Sequence, residues 1–356
     1  MNCKEITGWL RERDPRSLEG LWLEADRVRR ESVGDDVHLR GLVEFSNRCR
    51  RSCAYCGLRA PNNALARYRM SETEILDSAR RAVSLGYGTV VLQSGEEDDL
   101  DPGWMAKLIC EIKRETPLAV TLSLGERTES ELALWRDAGA DRYLLRFETS
   151  NRRLYDRIHP GLPGVTSDRF TILRTLKRLG YETGSGVLVG LPGQTYEDLA
   201  EDILWFERLD LDMVGLGPYI PHPATPMADG RRFPPAAGDA QVANNEEMAC
   251  KALALTRLLR PLANIPGTTA LATISQRGRE TGLERGANVI MPNVTPLKYR
   301  RLYEIYPAKA CLAEDGDFDS LLKTTITRMG RKVATGRGDS LNMHGGHPSL
   351  HNTERQ

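Results

Sequence analysis

No stretch of this chain is both long and apolar. None approaches the ~18 residues that a membrane span needs, and the opening segment MNCKEITGWLRERD is charged early with no apolar h-region, so neither a membrane anchor nor a secretory leader is expected. A cytoplasmic protein is the expectation. Net charge is missing too: 49 Lys and Arg stand against 49 Asp and Glu. That balance removes the electrostatic case for nucleic acid or an anionic membrane as the main partner, while leaving room for local basic patches. No sequence unit of about 20–50 residues recurs, which excludes a solenoid. The seven cysteines, Cys3, Cys49, Cys53, Cys56, Cys110, Cys250 and Cys311, are odd in number. In a large unsecreted chain they argue against a disulfide framework.

What is present is an alternation. The 356 residues, 40% hydrophobic, suit one large α/β domain or two small ones. A helix rich in Leu, Glu and Arg is expected over 16–32. Beyond it, β-type runs at 37–45, 89–93, 118–122, 142–147, 186–189, 213–216, 264–268 and 288–291 are separated by amphipathic helices. Ser71 and Glu74 have capping-box spacing at the start of one helix, and a long helix is expected over 246–259. Several runs are continuously apolar, as in parallel strands buried on both faces. About eight βα units predict an α/β (β/α)8 barrel of the TIM type. A doubly wound open sheet is the alternative, but G-x-G-x-x-G is absent after the first strand. The expected organisation is a helical extension over 1–34, a barrel over 35–310, and a C-terminal extension and polar tail over 311–356. The tail from 335 is rich in Gly, Ser, Asn and His. Its His344, His347 and His351 suit a solvated tail better than a metal site.

Directly after the first strand comes SNRCRRSCAYCGLR, with Cys49, Cys53 and Cys56 in C-x3-C-x2-C spacing. Thiolates favour Fe–S clusters and zinc. A structural zinc site takes four protein ligands, and no fourth Cys or His lies nearby, His38 being the nearest histidine. Three thiolates on a [4Fe–4S] cubane leave one iron open for a cofactor or substrate. Arg48, Arg50 and Arg51 flank the loop and could offset the charge of a cluster and its thiolates. Incidental cysteines, or a zinc site completed from a distance, are the competing readings.

This loop after strand one of a βα barrel, with Tyr55 before the third cysteine, resembles the radical S-adenosylmethionine (SAM) enzymes. Further segments narrow the resemblance to the HydE-type [FeFe]-hydrogenase maturases, with methylornithine synthase and biotin synthase as relatives. They include VEFSNRCRRSCAYCGLR, VVLQSGE, AGADRYLLRFETSN, LGYETGSGVLVGLPGQT, DMVGLGPYIPHPATP, NIPGTTALAT and RGANVIMPNVTP, spread over 37–306. The resemblance implies one [4Fe–4S] cluster on Cys49, Cys53 and Cys56, with SAM on its open iron. It implies reductive cleavage of SAM to a 5′-deoxyadenosyl radical. The substrate implied is a small organometallic iron species carrying CO, cyanide and cysteine, on the way to the hydrogenase di-iron subcluster. An electron donor such as ferredoxin or flavodoxin and maturation partner proteins follow from the same likeness.

SAM contacts are implied for Tyr55, Gln93, Ser94, Gly95, Glu96, Arg146, Glu148, Arg169, Met213 and Tyr303, and substrate or anion contacts for Ser94, Thr121, Arg142, Thr268, Thr269, Ala270, Met291 and Tyr306. Strand alternation would put Arg146 and Glu148 on one face and Phe147 on the other. Gly184, Gly186, Gly190 and Gly193 suit close backbone approach to adenine. Two departures stand out. Phe147 occupies a position where some family members carry His, and Cys311 lacks the companions that bind a second cluster in some members, so no second cluster is expected. A radical SAM mutase of the methylornithine synthase kind, a paralogue with another substrate, and a zinc or Fe–S scaffold without turnover are the alternatives.

Overall fold

The structure is a computed structural model that describes residues 1–310 and 317–344; Cys311, His347, His351 and the His344 side chain lie outside the described part. Two helices precede the barrel where the sequence suggested one. They are α1 (Cys3–Arg11) and α2 (Pro15–Val33). The missed α1 carries a capping box of its own, Asn2 with Glu5.

The barrel follows as β1 (Asp36–Ser46), α3 (Glu72–Ser84), β2 (Thr89–Ser94), α4 (Pro102–Glu115), β3 (Ala119–Ser123), α5 (Glu129–Asp137), β4 (Arg142–Leu144), α6 (Arg152–Ile158), α7 (Arg169–Arg178), β5 (Glu182–Val189), α8 (Tyr196–Arg208), β6 (Met213–Pro218), α9 (Glu246–Leu259), α10 (Thr269–Ile274), α11 (Gly278–Glu284) and β7 (Val289–Ile290). The strands lie in the order β6-β5-β4-β3-β2-β1-β7, all parallel. The expected strand over 264–268 is present only as single bridges, Met213↔Asn264 and Pro266↔Val289. Those bridges lie between β6 and β7 and close the sheet on itself. The fold is thus a TIM-type α/β barrel in which one stave is reduced to a few residues.

Period-two alternation sets which side chains reach the site. Val43 and Phe45, Val90 and Leu92, and Val120 and Leu122 join one apolar core with Ile75 of α3 and Leu108 and Ile109 of α4. The intervening Leu42, Glu44, Gln93 and Ser123 line a cavity inside the barrel. Gly186 lies opposite Gly215 across β5 and β6. A Cβ at Gly186 would stand 1.7 Å from Gly215 O. The glycine therefore serves strand packing, and neither it nor Gly184, Gly190 or Gly193 lines the cavity. Gly186→Ala is expected to destabilise the barrel by about 1–3 kcal/mol, as overpacking does, read as a lower urea midpoint.

The polar tail has an unexpected role. After α12 (Leu297–Arg300) and α13 (Phe318–Arg328), β8 (Lys332–Val333) pairs with the start of β1. The chain then crosses the floor of the barrel, at the N-terminal ends of the strands. Arg337 O accepts from Thr89 Oγ1 (2.7 Å) and Arg142 Nη2 (3.0 Å), and Gly338 O accepts from Arg40 Nη2 and Asn264 Nδ2 (both 3.1 Å). Ser340 is buried. Residues 337–340 are therefore tied to the floor by hydrogen bonds, while Thr335, Gly336 and Leu341 stay exposed.

Candidate active site

The cysteine loop leaves β1 at the C-terminal mouth of the barrel, the face on which such barrels build sites. Backbone hydrogen bonds hold it in place. Arg50 N donates to Glu96 O (2.8 Å), Ala54 N to Ile158 O (2.7 Å) and Gly57 N to Ile305 O (2.9 Å). Cys49, Cys53 and Cys56 open onto one cavity of about 340 Å³. None is in a disulfide. Burial pushes the Cys56 thiol up to about 12 and raises Cys49 and Cys53 as well. Thiols in such a place ionise only with a metal on the sulfur. Among the described residues no three His, Cys, Asp or Glu side chains are grouped so as to hold a single metal ion.

The arginines flanking the loop are already neutralised. Arg48 pairs with Asp99 (3.4 Å), and Arg50 with Glu96 (3.0 Å) and Asp98 (2.8 Å). Arg51 is buried between Glu96 (2.6 Å) and Glu126 (2.8 Å). The idea that they offset cluster charge is corrected accordingly. Glu96 lines the cavity, but Arg50 and Arg51 hold its Oε1 while Glu126 N donates to its Oε2 (3.0 Å). Its carboxylate anchors the cysteine loop. Gly95 works in the same place: a Cβ there would meet Arg48 O at 2.2 Å and Cys49 Cβ at 2.7 Å. Its close approach is to the loop, and it does not line the cavity.

β4 stops at Leu144, short of the expected strand, yet alternation persists. Phe147 turns away, stacks on Phe170 and packs at a tilt against Phe206. Arg146 and Glu148 face the cavity, with Arg146 Nε 3.1 Å from Glu148 Oε2. Glu148 adopts a left-handed backbone (φ +62°), which costs about 1–3 kcal/mol for a non-glycine residue. Two backbone bonds to β5 hold it there: Glu148 N donates to Gly186 O (3.1 Å) and Leu188 N to Glu148 O (3.2 Å). Tyr55 Oη donates to Glu148 Oε1 (3.3 Å).

Arg169, the first residue of α7, is buried on the same wall. It donates to Glu126 Oε1 (2.9 Å), Arg146 O (2.5 Å) and His159 Nε2 (2.6 Å). Burial, with Arg169 and Arg51 nearby, pushes His159 down to about 2, so the imidazole is neutral and accepts from the guanidinium. Two N–H groups of Arg169 remain for a ligand.

Gln93, Ser94, Thr268, Thr269, Ala270, Met291 and Tyr306 also line this cavity. Thr268 Oγ1 caps α10 by accepting from Leu271 N (3.3 Å), which leaves its own proton to donate.

Four of the expected contact residues lie elsewhere. Tyr303 stands behind the wall, where its Oη accepts from Gln93 Nε2 (3.0 Å). Thr121 and Met213 border a smaller, deeper pocket with Arg40, whose Nη1 donates to Met213 Sδ (3.0 Å). Arg142 is not a cavity residue. Fully buried on the floor, it bonds Glu182 Oε2 (2.7 Å), Thr89 Oγ1 (2.8 Å) and the floor-crossing segment at Arg337 and Asp339. As the first residue of β4 it sits at the end of the barrel that reads as stability. Conversely, sequence reasoning passed over His159, Glu44 and Lys309. The last two form a buried ion pair on the cavity wall, with Asn293 Nδ2 on Glu44 Oε2 (2.9 Å). A carboxylate at an inward strand position is the signal that marks Glu44.

Comparison with known proteins decides the lineage. A model described as the radical SAM superfamily matches residues 43–206. The [FeFe] hydrogenase maturase subunit HydE of Thermotoga maritima is 50% identical over 296 residues, covering 83% of this chain and 81% of that protein. The chain belongs to the HydE family of radical SAM enzymes. More remote likeness extends to 3-methylornithine synthase of Methanosarcina acetivorans, 28% identical over 77% of this chain and 74% of that one. The crystal structure of methylornithine synthase superposes with a TM-score of 0.77 at 24% identity, covering 94% of both chains. That of HydG, a maturase of the [FeFe]-hydrogenase, gives 0.76 at 18% identity over 93% of this chain and 72% of that one. These two superpositions bear on the fold alone, and they match the barrel expected from the sequence. No helix among the described residues is long and apolar enough to cross a membrane.

Proposed function

We propose that Cys49, Cys53 and Cys56 hold one [4Fe–4S] cluster whose open iron takes SAM, with no second cluster in the chain. The observation that carries this is the opening of all three thiols onto the cavity that Glu148 and Arg169 also line. When bound, cluster and SAM supply a 5′-deoxyadenosyl radical by reductive cleavage of the sulfonium C–S bond. The protein holds, orients and dries that chemistry. Gln93 and Ser94 receive the SAM amino group, Glu148 accepts from its ribose hydroxyls, and the two remaining N–H groups of Arg169 receive its carboxylate. Leu42, Leu144, Leu145, Leu188 and Ile220 give the cavity apolar walls that exclude water. Thr268, Thr269, Ala270, Met291 and Tyr306 face a small substrate, which we take to be an iron–carbonyl–cyanide–cysteine precursor of the hydrogenase di-iron subcluster. The barrel proper spans 35–310, with the helical extension before it and the floor-forming segment after it.

The test is anaerobic reconstitution, reduction and addition of SAM. 5′-Deoxyadenosine and methionine should appear in equal amounts in protein carrying about four irons. Zinc in place of iron, or no cleavage with and without the iron–carbonyl precursor, would sink the reading. Arg169→Lys keeps the charge but loses the fork. It is expected to weaken SAM binding by about 1.5–3 kcal/mol, measured as the Kd for SAM; an unchanged Kd removes Arg169 from the SAM site.

A further inference from the structure

The chain as a whole is neutral, yet its charge is unevenly compensated around the cysteine loop. On one side Arg48, Arg50 and Arg69 are all paired, with Asp99, with Glu96 and Asp98, and with Glu97 and Asp99. The other side differs. Among the described residues no carboxylate lies within ion-pair distance of Arg59, Arg157 or Arg232, and Arg231 has only Asp229 at 3.6 Å. These four arginines belong to one surface. Ala54, between Cys53 and Cys56, donates to Ile158 O (2.7 Å) and accepts from Met227 N (3.1 Å). That stitches the cysteine loop to the end of α6 and to the turn Pro226–Ala228. Arg157 Nη2 donates to Arg232 O (3.3 Å) while its guanidinium covers the Phe233 ring at 5.4 Å. Arg59 donates to Ser52 O (3.2 Å) and lies within electrostatic range of Cys53, Cys56 and Arg232. Arg157, Arg231 and Arg232 are exposed, and Arg59 is half-buried.

We propose that this face, Arg59, Arg157, Arg231 and Arg232, docks a small acidic one-electron carrier protein. The inference rests on the functional reading above, because a centre that cleaves SAM reductively must be given an electron from outside. Uncompensated positive charge selects an acidic partner and speeds its encounter. The surface lies over the backbone that carries Cys53 and Cys56, so a carrier seated there is close to the cluster. For a flavodoxin the balance is simple: its hydroquinone gives up one electron and becomes the semiquinone, and the oxidised cluster becomes reduced by one.

The experiment uses the reconstituted holoenzyme and a strongly acidic flavodoxin. The variant is Arg157→Glu with Arg232→Glu, neither of which lines the cavity. Two quantities are measured: the Kd for oxidised flavodoxin at low and high salt, and the SAM cleavage rate driven by flavodoxin hydroquinone or by dithionite. The Kd should rise at least about tenfold at low salt, with the difference shrinking at high salt. The flavodoxin-driven rate should fall in step while the dithionite-driven rate is unchanged. The same charge change on α2, Arg27→Glu with Arg30→Glu, should alter neither. An unchanged Kd and flavodoxin-driven rate, no binding by the wild type at low salt, or equal losses with both reductants would overturn the docking surface. Failure of the wild type to cleave SAM even with dithionite would instead strike the functional reading.

Discussion

Cys53→Ala is expected to abolish SAM cleavage and to lower iron well below the about four atoms of a full cubane. Cys53 is buried at the cavity with 8% of its surface exposed. Removing its sulfur deletes one ligand and little packing, so the apo variant should fold like the wild type. Two remaining thiolates cannot hold a cluster that leaves one iron open. Cys110→Ala is the matched control, because Cys110 is exposed on α4 and away from the cavity. Iron and sulfide analysis with quantification of 5′-deoxyadenosine reads both variants. Cleavage retained by Cys53→Ala would remove that residue from the cluster. Equal loss in Cys110→Ala would show that general thiol damage, not ligation, is being measured.

Arg142→Met should do the reverse, harming stability while sparing the site. Arg142 is fully buried and joins Glu182, Thr89 and the floor-crossing segment. Its loss strands Glu182, 6% exposed, without its cation. Breaking a buried pair by removing one partner costs about 3–5 kcal/mol. The urea midpoint should drop sharply and the floor-crossing segment should gain hydrogen exchange. SAM cleavage per folded molecule, and the Kd for SAM, should not move. A variant of normal stability with lost turnover would return Arg142 to the substrate role that the family resemblance implied.

The parts legible in the sequence are those governed by neighbours. Ser71 and Glu74 form the expected capping box on α3, and α9 spans the expected residues. Both are local: one depends on a three-residue spacing, the other on helical periodicity. The side-to-side disposition of Arg146, Phe147 and Glu148 was also legible, because pleat alternation persists where regular strand bonding ends. The cysteine spacing was plain for a chemical reason. Three thiols within eight residues of one loop open onto one cavity, because so short a loop keeps them together.

Where each charge finds its partner depended on the tertiary fold. Arg142 meets residues 337 and 339, Lys309 meets Glu44, and Arg51 meets Glu96 and Glu126, all across long sequence separations. Residue type alone does not distinguish an arginine that binds an anionic ligand from one that ties the barrel shut, since both need a buried guanidinium with acceptors around it. The sequence by itself determined the alternating elements, the barrel class and the grouping of the three cysteines on one loop, because periodicity and residue spacing act over a few residues. The tertiary structure decided that the polar C-terminal segment crosses the floor, that the flanking arginines pair with carboxylates, and that Arg142 lies on that floor, away from the cavity. Those outcomes depend on which distant carboxylates and carbonyls the closed barrel brings within hydrogen-bond reach.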